Sequence, residues 1–144
     1  MNIIEQALDQ IRSENKAFYD AQALTCVDDS KNYVELLLTD NKQEHFAVLF
    51  LSNSHTLIKA EILFNGTIDS ASVYPRVIAQ KCLEYGASAV ILAHNHPSGS
   101  NIASNADIGI TKRISKALEL FDIRVLDHLI VGSHVISMAQ QGSM

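Results

Sequence analysis

The sequence predicts an α/β domain in which a mixed β-sheet carries helices on both sides. Two observations lead there. Short apolar runs at residues 46–51 and 89–93 read as buried strands and are interleaved with stretches of helical apolar spacing. The elements run helix, helix, strand, strand, helix, strand, helix, strand, strand, an order that suits a layered sheet. The chain has 144 residues, 47% of them apolar and 19% charged, which gives one globular domain large enough for a proper core.

Taken in order, residues 1–18 place Ile3, Ile4, Ala7, Leu8 and Ile11 at helical spacing, opposite Glu5, Asp9, Gln10 and Arg12. That face is suited to packing on the domain or on a second copy of the chain, as in a homodimer. Asp28-Asp29-Ser30 offers an N-cap for a second helix, whose face of Tyr33, Val34, Leu37 and Leu38 runs to about Thr39. Residues 40–43 form a loop, and residues 46–51 a central strand buried on both faces. After a turn at 52–55, residues 56–64 form the next strand, with Ile58, Ala60 and Ile62 alternating against Leu57, Lys59, Glu61 and Leu63. An unpaired carboxylate is costly to bury, so the simplest place for Glu61 is the solvent side of an edge strand. Asn65-Gly66 marks a turn. Residues 72–85 form a helix with Pro75 near its first turn, Gly86 as its stop, and Ile78, Ala79, Cys82 and Leu83 inside.

The strand at 88–94 then feeds His94-Asn95-His96-Pro97-Ser98-Gly99. A helix opens at Ser104 and runs to about Phe121 through Ile108, Thr111, Ile114 and Leu118, and strands at 123–131 and 134–138 close around Gly132-Ser133. In an extended chain residues i and i+2 point the same way, so both imidazoles leave the strand end together. If the loop folds back, Asp107 in the first turn of the next helix reaches the same point. Two imidazole nitrogens, one carboxylate oxygen and an open fourth position are the ligand count of a catalytic zinc site. Ser104 and Asp107 also form a capping box that would start a helix in any protein, and the two roles of Asp107 are compatible.

Net charge is −5, and Lys and Arg are scattered, with Lys112-Arg113 their only adjacent pair. This weighs against a nucleic-acid partner, which needs clustered cations. No apolar run approaches the length of a membrane span, and no secretory signal is visible, so the expected location is cytoplasmic. Cys26 and Cys82 form no Cys-x-x-Cys pair and read as small buried or half-buried thiols.

His94-x-His96-Pro97-x-Gly99 followed by Ser104-x-x-Asp107 resembles the metal motif of the JAMM (MPN-type) metalloproteases, and His-Asn-His-Pro-Ser-Gly resembles their RadC-like branch. Two further stretches carry the same resemblance: residues 64–71 with Tyr74-Pro75-Arg76, and residues 125–132. It covers roughly residues 44–142. Ala103 stands where many relatives have Pro, a difference in loop stiffness that leaves the ligands untouched. The resemblance implies a three-layer MPN (JAMM) fold, related in architecture to the cytidine deaminases. Deaminase chemistry itself is not expected, because the chain has neither His-x-Glu nor Pro-Cys-x-x-Cys.

The resemblance further implies Zn2+ held by His94, His96 and Asp107, with Glu61 as general base on the strand upstream of the His pair. Ser104 would donate to the oxyanion, and the substrate would be a peptide or isopeptide bond of a protein. Arg76 becomes a structural or substrate contact. His128 either steadies a zinc-bound histidine through its far nitrogen or is a buried structural histidine. RadC-like relatives often carry a larger helical N-terminal domain. This chain is read instead as a single domain over 1–144, with a helical extension at about 1–40 and no separate DNA-binding domain. The competing expectation is a non-catalytic or DNA-repair-associated protein, which a basic groove across the site mouth would favour.

Overall fold

The computed structural model describes residues 2–7, 27–38, 42–68 and 72–144. Five strands form one sheet: β1 (His45–Leu51), β2 (Leu57–Asn65), β3 (Ala89–Asn95), β4 (Arg124–Val131) and β5 (Val135–Ser137), in the order β2-β1-β3-β4-β5. Every neighbouring pair is antiparallel except β3 and β4, which run parallel because a helix crosses over between them. Helix α1 (Val27–Leu37) covers one face, and α2 (Pro75–Tyr85) and α3 (Asn105–Glu119) the other.

The strand period of two sorts the core into its layers. Ala47, Leu49 and Leu51 of β1 and Ile91 and Ala93 of β3 pack against Tyr33, Val34 and Leu37 of α1. Their alternates Phe46, Val48, Phe50, Val90 and Leu92 pack against Ile78 and Cys82 of α2 and Ile110, Ile114 and Leu118 of α3. β1 is therefore buried from Phe46 onward, as expected of a strand with neighbours on both sides. His94 has the parity of Val90 and Leu92, so its ring lies on the α3 side.

Several boundaries differ from the sequence reading. α1 begins at Val27, so Asp28 and Asp29 sit in its first turn, where they favour the positive end of the helix dipole. α2 begins at Pro75 rather than Ser72, because a residue before proline is pushed out of the helical region; Tyr74 is extended (φ −103°, ψ 107°). Leu83 is not inside but 59% exposed. α3 ends at Glu119, before Phe121, since the chain turns out through Asp122 at φ 58°. Of the expected N-terminal helix, residues 3–7 are helical and Ile4 packs on the α1 layer, while residues 8–26, including Cys26, lie outside the described residues. Among the described residues no helix is long and apolar enough to cross a membrane.

Candidate metal centre

Three side chains converge where β3 ends and α3 begins. His94 (1% exposed) and Asp107 (3% exposed) are buried, and His96 is half-buried. His94 Nε2 lies 3.0 Å from Asp107 Oδ1, His96 Nε2 3.3 Å from Asp107 Oδ2, and the two Nε2 atoms are 2.9 Å apart. Asp107 is held by the predicted capping box: its N–H donates to Ser104 Oγ (3.0 Å), and Ser104 N–H donates to its Oδ2 (2.7 Å). His96 Nδ1 faces the Ser100 carbonyl at 3.2 Å. A carbonyl only accepts, so the proton belongs on Nδ1 and Nε2 of the neutral ring keeps its lone pair.

The structure brings Ser104 to this cluster but not Glu61. Glu61 pairs across the sheet with Val48, accepts a hydrogen bond from Tyr85 Oη, and lies 3.8 Å from Lys81 Nζ. Those partners belong to α2, and half-burial on the edge strand is tolerable because they share the charge. Along β1, Val48 is about 13 Å beyond Glu44 at the usual strand rise. Glu44 is the second carboxylate at the site, beside Asp107. It lines the same cleft of about 680 Å³ as His94, His96, Ser104 and Asp107. Extended by two residues, the antiparallel register that sets Phe46 opposite His94 would bring Glu44 level with His96. Ile68 N–H donates to Glu44 Oε2 (2.6 Å), and Gly66 N–H donates to the Glu44 carbonyl (3.0 Å). The sequence signal was available: a carboxylate at the head of a buried strand that can pair with the strand feeding the histidines.

The description "RadC-like JAB domain" names the family model that matches residues 24–143. The chain belongs to this family. It is also 53% identical over 121 residues to a UPF0758 protein of Aliivibrio fischeri strain MJ11, covering 83% of this chain and 54% of that protein. A UPF0758 protein of Photobacterium profundum is 51% identical over 124 residues, 85% of this chain and 55% of that protein. One of Vibrio cholerae serotype O1 is 52% identical over 121 residues, 83% and 54%. The chain thus spans about half the length of the curated relatives it matches. The three-layer mixed sheet agrees with the JAB/MPN fold.

In this JAB domain the residues present fit a metal ion. His94, His96 and Asp107 each offer one ligand atom, all within 4.8 Å of one another, and the cleft leaves one side open. Burial by itself would raise the Asp107 carboxyl. Hydrogen bonds from His94 and His96, the His94 charge and the Ser104 N–H outweigh it and hold the carboxyl well below the usual range, so it stays ionised. The hydrogen bond to Asp107 raises His96 against the opposing effect of burial, and the Glu44 charge adds to the rise. Such a cluster of one fixed anion and two imidazoles is cation-seeking.

Two loops are locked around it. Asn95, 1% exposed, accepts from His45 N–H through Oδ1 (2.7 Å) and donates to the Gln43 carbonyl through Nδ2 (2.9 Å), clamping the backbone on both sides of Glu44. The loop after His96 lies on Gly132, where an added Cβ would collide with Ser100 and Asn101. Ser133 N–H donates to the Gly99 carbonyl there, at 2.9 Å.

Proposed function

We propose that this domain is a zinc-dependent hydrolase that cuts a peptide or isopeptide bond. The observation that carries the reading is the convergence of His94 Nε2, His96 Nε2 and the Asp107 carboxylate in one cleft with Glu44. A bound zinc would supply Lewis acidity and lower the pKa of a water in the site toward about 7. The chain's own residues do the rest. Glu44, held by the Ile68 N–H and clamped by Asn95, takes the proton of the attacking water and returns it to the leaving amine. Ser104 Oγ accepts from Asp107 N–H, which leaves its own proton to donate to the developing oxyanion.

The apolar rim of Ile68 and Ile102 suits an extended peptide. A DNA-associated reading calls for a basic mouth. Among the described residues lining the cleft, Lys42 is the one Lys or Arg, set against Glu44 and Asp107, which favours the hydrolase. Metal analysis with a peptide-library cleavage assay tests the proposal. Expected are one zinc per chain, its loss in His94→Ala/His96→Ala, and cleavage that stops on chelation. A zinc-free wild type, or full zinc in the double variant, refutes it.

A further inference from the structure

We infer that His128 and Thr111 are positioning residues that hold the metal-facing nitrogen of His94 bare, through a closed ring of four residues behind the site. The inference rests on the metal-centre reading above. His94 Nδ1 lies 2.8 Å from His128 Nε2, His128 Nδ1 lies 2.6 Å from Thr111 Oγ1, and Thr111 Oγ1 donates to the Asp107 carbonyl at 2.7 Å. Asp107 closes the ring through its carboxylate, 3.0 Å from His94 Nε2. His128 is fully buried, Thr111 is 3% exposed, and the His128 and Phe46 rings form a T-shaped pair at 5.5 Å between centroids. Water has little access to replace His128 or Thr111.

The proton positions follow from the chemistry of each atom. A metal on His94 Nε2 consumes that lone pair, so the His94 proton must sit on Nδ1 and needs an acceptor. His128 Nε2 is the atom within reach, and it can accept only if the His128 proton is on Nδ1. That proton then goes to Thr111 Oγ1, whose own proton goes to the Asp107 carbonyl, which can only accept. Every donor in the ring has one acceptor. The relay therefore selects the His94 tautomer that binds metal, and it ties one ligand's ring to the backbone of another ligand. Deleting the hydroxyl of Thr111, which touches no ligand side chain, frees His128 Nδ1 and removes the reason for His128 to present a bare Nε2.

Chelator competition for Zn2+ tests this without any substrate. His128→Phe should bind zinc about 10–100-fold more weakly than wild type, the usual cost of losing an outer partner of a metal-bound histidine. Thr111→Val, nearly the same shape, should weaken zinc by on the order of 10-fold, while Thr111→Ser, which keeps the hydroxyl, should bind like wild type. If His128→Phe fails to fold, Thr111→Val decides. Long-range 15N–1H spectra of the zinc-loaded wild type should place the protons of both His94 and His128 on Nδ1. Thr111→Val that is folded and binds zinc within about twofold of wild type, or a proton on His128 Nε2 in the loaded protein, overturns the inference. Wild type that binds no zinc fails earlier and overturns the metal reading itself.

Discussion

Replacing Gly132 by alanine probes the site from outside it. Gly132 lies under the loop that follows His96. A methyl group there would sit 2.8 Å from the Gly99 carbonyl oxygen, 2.5 Å from Asn101 Oδ1 and nearest of all to the Ser100 carbonyl oxygen. Two of the three obstacles are backbone, so the loop must back away. Overpacking of this kind costs about 1–3 kcal/mol, which for a domain of this size lowers Tm by roughly 3–10 °C. The loop cannot retreat without consequence, because the Ser100 carbonyl is the acceptor for His96 Nδ1 at 3.2 Å. A further shift of a few tenths of an ångström ends that hydrogen bond, and losing such a partner weakens metal binding about 10–100-fold. Thermal melting and chelator competition for zinc on Gly132→Ala are the assays. A variant that melts within about 1 °C of wild type and binds zinc within about twofold would refute the claim that the Gly132 contact positions His96.

Other changes separate roles that the structure combines. Ser104→Gly keeps a good N-cap, costing a few tenths of a kcal/mol, but should lower kcat on the order of 10²-fold on a peptide that wild type cleaves; turnover within about twofold would leave Ser104 as a cap alone. In metal-free protein, His128 is held well below its ordinary value of 6.5 by burial and then by the His94 charge, so its contribution to stability is full above pH 6.5 and declines as pH falls. His96 is raised above 6.5 by the Asp107 hydrogen bond, so its contribution is full below 6.5 and is lost as pH rises through its folded value. Urea midpoints of chelated protein should therefore peak near pH 6.5, with a slope of up to about 1.4 kcal/mol per pH unit on the acid side; stability that climbs as the pH drops from 6.5 to about 5 would contradict the assignment. Burial pushes the Cys82 thiol up to about 11, so it should resist alkylation in the native protein and react on denaturation, as followed by peptide mass mapping; rapid labelling of native Cys82 would show that α2 does not cover it.

The His94, His96 and Asp107 cluster was legible because its geometry is local. A strand end, a tight loop and a helix start fix His94, His96 and Asp107 from sequence spacing, and the capping box at Ser104 is itself a sequence pattern. The layered fold was legible from period, since β1 is apolar throughout and α3 repeats at helical spacing. That Glu61 lies away from the cluster was not legible, because choosing between two carboxylates 17 residues apart in sequence requires the register of three strands, which no local pattern encodes. The sequence put an acid upstream of the histidines; only the pairing of Phe46 with His94 brings Glu44 into their cleft. The roles of Asn95 and Thr111 were hidden for the same reason: their partners, Gln43 and His128, are 52 and 17 residues away. Helix ends were missed by a few residues where one backbone setting decided, as with extended Tyr74 before Pro75 and left-handed Asp122.

The most direct measurement sets Glu44→Gln beside Glu61→Gln, each zinc-loaded, on a peptide that the zinc-loaded wild type cleaves. Glu44 shares the cleft with the ligands, while Glu61 faces Tyr85 and Lys81. A base role for Glu44 predicts that both variants bind zinc normally, that Glu44→Gln loses about 10²–10⁴-fold in kcat, and that Glu61→Gln turns over like wild type. Full turnover in Glu44→Gln, or collapse of turnover confined to Glu61→Gln, would contradict it.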